Sequence, residues 1–172
     1  MRKVVLSLHL LASVGWIGVC LAYVVLGLAV RRSDDATFVV TAWDVMELLV
    51  RWVLVPLAVA AFCSGVALAL VTRWGLLRHY WVIFALIGTA VAALVLIDHV
   101  GYVSGTAANV QTMADAGAGA AELVDHYGAD LFHSSLGLGL LVLIFLLNVY
   151  KPRGVTRRGW RQRQAAAAKS SP

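Results

Sequence analysis

Five polar or aromatic side chains that could contact a ligand are regularly spaced along one early apolar stretch, LHLLASVGWIGVCLAY at residues 8–23. They are His9, Ser13, Trp16, Cys20 and Tyr23, separated by four, three, four and three positions. Because a helix turns once every 3.6 residues, these spacings place all five on one stripe. A helix surrounded only by lipid gains nothing from such a stripe, so we expect this face to contact protein or a ligand.

A second group of candidate ligands lies in the later half of the chain. If a helix begins before residue 131, then Glu122, His126, Asp130 and His133 follow at spacings of four, four and three and share one face. Two imidazoles and a carboxylate suit Cu, Zn or Fe, and His99 or Asp98 could complete the metal-binding shell. The stretch lacks a strict motif such as HExxH, so ordinary solvated carboxylates of an outer loop are the alternative.

The same histidines predict a different site if the cofactor is haem b, because haem iron accepts one or two axial imidazoles. In this hypothesis Arg51 pairs with a propionate, and Gly137, one turn from His133, leaves space for the porphyrin ring. The candidate cofactor-binding residues are His9, Trp16, Arg51, His99, His133 and Gly137. Hydrogen-bonded packing between helices is the alternative for each histidine, and a snorkelling interface side chain is the alternative for Arg51.

Membrane helices are the elements that must position these residues. Of 172 residues 61% are hydrophobic and only 13% are charged, and the mean hydropathy is +0.84. Four apolar runs, at 4–30, 48–72, 80–103 and 131–150, each reach the roughly 20 residues that a helix needs to cross a bilayer. They do not alternate like barrel strands. We therefore predict an all-α, integral membrane four-helix bundle at 1–150, followed by a basic, disordered tail at 151–172.

Charge predicts the orientation of this bundle. Eleven of the fourteen basic residues lie before the first run, between the second and third, or after the fourth, whereas all nine acidic residues lie on or near the opposite side. By the positive-inside rule both termini are cytoplasmic in a multi-pass protein. A basic tail that begins directly after a membrane helix favours anionic lipid headgroups as its partner and disfavours nucleic acid.

Depth in the membrane separates the histidines into two groups. At 1.5 Å per residue, His99 lies about 6 Å from the outer end of the third run and His133 about 3–4 Å from the outer end of the fourth. His9 lies only about 7–8 Å from the cytoplasmic end of the first run. We therefore expect His99 and His133 at one level, and His9 near the other surface, where the link that carries His79 also lies.

The stretch LHLLASVGWIG, in which Trp16 and Gly18 follow His9, resembles the first helix of a superfamily of small membrane proteins. That superfamily includes CopD-type copper-resistance proteins and HemJ-type protoporphyrinogen oxidases. The stretches TRWGLLRHYWVIFALIGTAVAALVLIDH and YKPRG resemble an uncharacterised bacterial four-helix membrane protein family placed near it. The resemblance implies a bundle in the bacterial plasma membrane with histidines available to haem b or copper, and His9 as the matched haem-binding position.

Three functions from different classes follow from these observations. The first is a haem b-binding membrane protein that is redox-active and exchanges electrons with a quinone or a membrane protein partner; whether it is an oxidoreductase enzyme stays open. The second is a transition-metal binding or transport protein with its site on the outer face. The third is a structural accessory subunit of a membrane complex, in which the histidines only join helices. The chain lacks the GxSxG and HExxH motifs of common hydrolases.

Overall fold

The computed structural model describes residues 2–72, 74–127 and 131–170. The helices are α1 Arg2–Val30, α2 Ala36–Leu49, α3 Val55–Val71, α4 Tyr80–Asp115, α5 Ala120–Tyr127, α6 Leu131–Tyr150 and α7 Arg157–Ser170. Four helical stretches are long and apolar enough to cross a membrane: α1, the continuous stretch Ala36–Val71, α4 and α6. The predicted all-α membrane bundle is confirmed at this level.

Helices α2 and α3 are continuous through a π-helical turn at Val50–Leu54. Pro56 explains the position of this turn, because proline has no N–H to donate to Trp52, four residues earlier, and its ring crowds that carbonyl in a regular α-helix. In the wider turn the Val55 N–H bonds instead to the carbonyl of Val50, five residues back. The chain therefore passes the proline without a break in the helix.

The membrane helices form a ring in which α1 and α4 each pack against both α3 and α6. At Gly88 a Cβ atom would lie 3.1 Å from Cδ1 of Ile144, so this glycine allows α4 to approach α6 closely. Lipid provides no hydrophobic force between helices, and close packing of this kind must hold them together instead. We call the end formed by the start of α1, the link 72–79 and the end of α6 the basic end, and the opposite end the acidic end.

Two helices extend well beyond the ends that the sequence predicts. The second helical span begins at Ala36, not near residue 48, and α4 ends at Asp115, not near residue 103. Each is 36 residues long, or about 54 Å, against a hydrocarbon core of about 30 Å. The excess of both helices lies at the acidic end. There α2, residues 104–115 of α4 and helix α5 pack into what we call the acidic-end cap.

Among the described residues, the largest fully buried side chains lie in the acidic-end cap and at its base. They are Val30, Val39, Trp43, Met46, Val50, Val103, Val110 and Leu123. The sequence predicts that the apolar face of FVVTAWDVMELLVR lies along the membrane interface, and this prediction is wrong because that face packs against α4 and α5. Outside the bilayer, water drives apolar side chains together, and two 36-residue helices supply partners for them.

The end of α4 turns the chain back into the cap. The Ala118 N–H bonds to the Met113 carbonyl at 3.0 Å, the Gly117 N–H bonds to the Ala114 carbonyl at 2.9 Å, and Gly117 has a φ of +92°. This is a Schellman motif, in which glycine takes the left-handed position at little cost. The helix that the sequence predicts to restart near Ala120 is present as α5. Its predicted continuity into the fourth span falls at 128–130, outside the described residues.

The tail that the sequence predicts to be disordered forms helix α7, which docks on the basic end. Thr156 caps this helix: its hydroxyl oxygen accepts from the Gly159 N–H at 3.1 Å and donates to the Leu77 carbonyl at 2.6 Å. Gly159 is required for the docking, since a Cβ there would lie 2.5 Å from the carbonyl oxygen of Arg78. The cap and these contacts attach the start of α7 to the link 72–79.

Candidate functional site

A cavity of about 730 Å³ lies among α1, α3, α4 and α6, in the half of the bundle nearest the basic end. Its volume falls within the roughly 300–1,000 Å³ of small-molecule and cofactor sites. Most of its walls are aliphatic, and a few side chains supply polar, aromatic or charged groups. Those used in the argument below are His9, Trp16, Trp74, Trp81 and Lys151, together with Arg2.

The hydrogen bonds of His9 fix its tautomer. Its Nδ1 lies 3.1 Å from the carbonyl oxygen of Ala61 and 3.1 Å from the hydroxyl oxygen of Ser64. A carbonyl only accepts, and the Ser64 hydroxyl donates its hydrogen to the Ala60 carbonyl at 2.5 Å. Both neighbours therefore accept from the ring, so Nδ1 carries the proton and the lone pair is on Nε2.

This arrangement suits a metal-ligating histidine. Such residues almost always donate one ring N–H to a carbonyl or carboxylate, which orients the ring and raises the basicity of the other nitrogen. Gly65 makes room on the α3 side, where a Cβ would lie only 3.2 Å from Cε1 of His9. The described residues give Nε2 of His9 no hydrogen-bond partner. His9 is therefore an oriented imidazole, at a cavity wall, with an unused lone pair.

Aromatic rings and positive charge complete the cavity walls. Trp16 and Trp81 are buried, and the rings of Trp74 and Trp81 meet edge to face with centroids 5.6 Å apart. The Lys151 ammonium lies 5.8 Å from the centroid of the Trp74 ring. Arg2 and Lys151 both belong to the basic end, and none of the described lining residues is acidic. The cavity therefore favours a flat, largely apolar ligand with an anionic group directed toward the basic end.

The stripe predicted on the first helix is confirmed as a protein-facing surface. Trp16, Cys20 and Tyr23 are buried, and His9 and Ser13 line the cavity below them. The Cys20 thiol donates to the Ser134 carbonyl at 3.7 Å, so the upper part of the stripe packs against α6. His9 and Trp16 are the two predicted cofactor-binding residues that the fold brings to the cavity.

His99 and His133 lie together but in a different place. Their ring centroids are 5.9 Å apart, so the two histidines lie at one level of the bundle, as the sequence predicts. Ser134, next to His133, contacts Cys20, which is eleven residues and about 16 Å along α1 from His9. The three histidines therefore lie at two separate sites, His9 at one and His99 with His133 at the other. His9 cannot bind the same iron as His133.

The predicted outer metal site is not assembled in the described part of the chain. Residues 2–72, 74–127 and 131–170 contain no group of three His, Cys, Asp or Glu side chains placed to hold a metal ion. His99 stacks on Tyr102 with centroids 5.1 Å apart, while His126 is exposed on α5. Asp130 lies outside the described residues. Of the predicted ligands, the structure brings together only the imidazoles of His99 and His133 within the described residues.

Arg51 and Gly137 also lie away from the cavity. The Arg51 guanidinium donates to the Glu47 carboxylate at 3.1 Å and to the Ser104 hydroxyl at 2.8 Å, at the base of the acidic-end cap. These contacts attach α4 to the second span, so Arg51 is not near an anion in the cavity. A Cβ at Gly137 would meet nothing within 4 Å, which leaves open space beside α6.

Several residues that line the cavity are not among those that the sequence predicts to bind a cofactor. They include Trp74, Trp81 and Lys151, and also Asn148, an amide within the last turn of α6. The concentration of tryptophan in RWGLLRHYW, beside a short link, was the available signal. Spacing on one helix predicts a face, but it does not predict which other helices close around that face.

The chain matches no protein-family model, no curated protein and no solved structure. The fold alone would not decide the function, because four-helix bundles serve many unrelated functions.

Proposed function

We propose that the protein is a small membrane protein that binds haem b in the cavity, with Nε2 of His9 as an axial ligand to the iron. The orientation of His9 carries this proposal: its Nδ1–H is held by the Ala61 carbonyl, which leaves the Nε2 lone pair for a metal. A single histidine is a sufficient protein ligand for haem iron. His9 is also the position that the resemblance to HemJ-type proteins matches.

The rest of the cavity supports the same cofactor. Its volume of about 730 Å³ and its apolar walls suit a large flat ring, and Trp16 and Trp81 offer ring surfaces to pack against it. The two carboxylates of haem b need cations, and Arg2 and Lys151 supply them at the basic end. Bound haem would supply one-electron chemistry, and a quinone or a membrane protein is the class of electron partner we propose.

The number of protein ligands is part of the proposal. Among the described residues that line the cavity, His9 is the sole histidine, and neither cysteine nor methionine lines it. The chain would therefore offer the iron of a bound haem one strong protein ligand, His9. A protein with two histidine ligands from α1 and α6 would instead need His9 and His133 to meet.

An absorbance spectrum of the protein, purified in mild detergent, tests the proposal. We expect one haem b per chain, with the spectrum of iron that has a single histidine ligand, and sharper α and β bands after reduction by dithionite. Metal analysis of the same sample is expected to give iron in equal amount. A colourless, metal-free protein from cells supplied with haem and metals would contradict the proposal, and would favour the accessory-subunit hypothesis.

The pair formed by His99 and His133 favours a second candidate function, transition-metal binding at the acidic end. Rings 5.9 Å apart can supply two ligands to Cu or Zn, about half of a tetrahedral shell. His126 and Asp130 are the further ligands that the sequence predicts. Stoichiometric Cu or Zn without haem, lost in H99A and H133A but retained in H9A, would support this function against the first.

We also propose that the basic end faces the cytoplasm of a bacterial cell and contacts anionic lipid there, because positive charge collects at that end. Single cysteines at two exposed positions test this orientation: A121C at the acidic end and R153C at the basic end. A membrane-impermeant maleimide is expected to label A121C in intact spheroplasts and R153C only after lysis. The parent protein is the labelling control: its Cys20 is buried, and its Cys63 is exposed only on the membrane-length stretch Ala36–Val71. The reverse pattern would overturn the orientation.

A further inference from the structure

We propose a second binding site at the basic end, a pocket that holds the headgroup phosphate of an anionic phospholipid. The pocket has a volume of about 310 Å³ and lies between the start of α4 and the first two turns of α7. Its walls are formed by Tyr80, Val155, Thr156, Arg157, Trp160 and Arg161. The proposal assigns the attraction of the basic tail to anionic lipid to two particular arginines, Arg157 and Arg161. It rests on the proposed contact of the basic end with lipid and does not depend on haem.

The pocket is built on a fixed framework. The Thr156 N–H donates to the Arg78 carbonyl at 3.0 Å, and the Tyr80 N–H donates to the Gly154 carbonyl at 3.3 Å. Further along α7, the amide oxygen of Gln162 accepts a hydrogen bond from Arg78 Nε at 2.6 Å. These bonds hold the start of α7 against the start of α4. The two arginines of the pocket are therefore presented from an anchored helix.

The charges of the pocket call for an anion. Arg157 and Arg161 are four residues apart, so their guanidinium groups lie on the same face of α7. Neither makes an ion pair within the described residues, and the sequence has no acidic residue after Asp130. Guanidinium groups bind phosphate through paired N–H donors, and the planar fork of arginine suits this contact better than lysine does.

The surroundings of the pocket indicate that the phosphate belongs to a lipid. Tyr80 is the first residue of a membrane-length helix, and both Tyr80 and Trp160 are exposed at the pocket. Tyrosine and tryptophan are enriched where membrane helices meet the headgroups. From Tyr80 a stripe of exposed apolar side chains runs along α4 through Phe84, Ile87 and Val91. Such a stripe can carry an acyl chain away from the pocket, whereas a soluble phosphate would not use it.

Native mass spectrometry of the full-length protein in mild detergent tests the site. The probes are phosphatidylglycerol and phosphatidylcholine with the same acyl chains, because both contain phosphate and only the first is anionic. We expect the unaltered protein to prefer phosphatidylglycerol, and R157Q/R161Q to bind it about 30-fold more weakly. The matched control R153Q/R158Q removes the same charge from two exposed arginines outside the pocket, and it is expected to retain the preference.

Three results would overturn the site. Equal losses in R157Q/R161Q and R153Q/R158Q would mean that diffuse charge, and not the pocket, attracts the lipid. Equal binding of both lipids by the unaltered protein would exclude selection of an anionic headgroup. Displacement of phosphatidylglycerol by the same concentration of inorganic phosphate would assign the pocket to a soluble anion. If the double variant does not fold, R161Q is compared with R158Q, and about fivefold weaker binding in R161Q alone supports the site.

Discussion

Replacement of His9 by alanine is expected to remove haem from the purified protein, with loss of most of its Soret absorbance. The reason is that the described cavity lining offers the iron no other histidine, cysteine or methionine. Without an axial ligand, only packing and the pairing of propionates with Arg2 and Lys151 would retain the cofactor. Haem stoichiometry per chain, measured after identical purification of both proteins, gives the size of the effect.

Two matched variants make the result specific to His9. H99A and H133A each remove one imidazole from the same bundle, but from the pair outside the cavity, whose rings are 5.9 Å apart. Both are expected to keep the haem content of the unaltered protein. Free imidazole added to H9A is expected to restore part of the Soret band, because the truncated side chain leaves room for it beside Ala61. Full haem content in H9A, or loss of haem in H133A alone, would contradict the proposed ligand.

Replacement of Trp43 by alanine is expected to destabilise the protein by about 3 kcal/mol or more. Trp43 is 0% exposed and packs in the acidic-end cap, where Met46 and Leu123 are equally buried. Truncation there opens a cavity in a core that is surrounded by water and not by lipid. The free-energy cost is therefore that of a soluble protein: the lost burial of apolar surface plus the lost packing around the cavity. Thermal unfolding in detergent, followed by circular dichroism, measures the loss.

Two comparisons separate packing from other contributions of this side chain. The indole N–H of Trp43 is buried and has no hydrogen-bond partner among the described residues, so W43F keeps most of the ring and removes an unsatisfied donor. We expect W43F to stay within about 1 kcal/mol of the unaltered protein. W52A truncates a tryptophan that is 70% exposed in a membrane-length helix and is expected to cost little. A W52A loss as large as that of W43A would contradict the assignment of the core to the cap.

The membrane helices and the protein-facing stripe of α1 were predictable because both are local properties of the chain. Length and apolar content decide whether a helix can cross a bilayer, and a period of 3.6 residues decides which side chains share a face. The pairing of His99 with His133 was predictable too, since depth follows from a rise of 1.5 Å per residue. These inferences need only distances along one helix, which the sequence contains.

The packing of the acidic-end cap could not be predicted from properties of single helices. The segment FVVTAWDVMELLVR has an apolar face whichever surface covers it, and a membrane interface and a partner helix satisfy that face equally well. Only the packing of α2 on α4 and α5 decides between them. Helix α7 is a similar case, because its order depends on Thr156 and Gly159 meeting carbonyl groups of the link 72–79, which lies far away in the sequence.

The sequence by itself determined that this is an all-helical membrane protein whose first helix has a protein-facing stripe that includes His9, because hydrophobicity and periodicity act within single helices. Only the tertiary structure decided which histidine lies at a cavity, because a cavity requires four helices to meet in one arrangement. It also placed the carbonyl of Ala61 against Nδ1 of His9, and so left the metal-binding lone pair on Nε2. That contact joins residues 52 positions apart, a separation at which no local pattern specifies geometry.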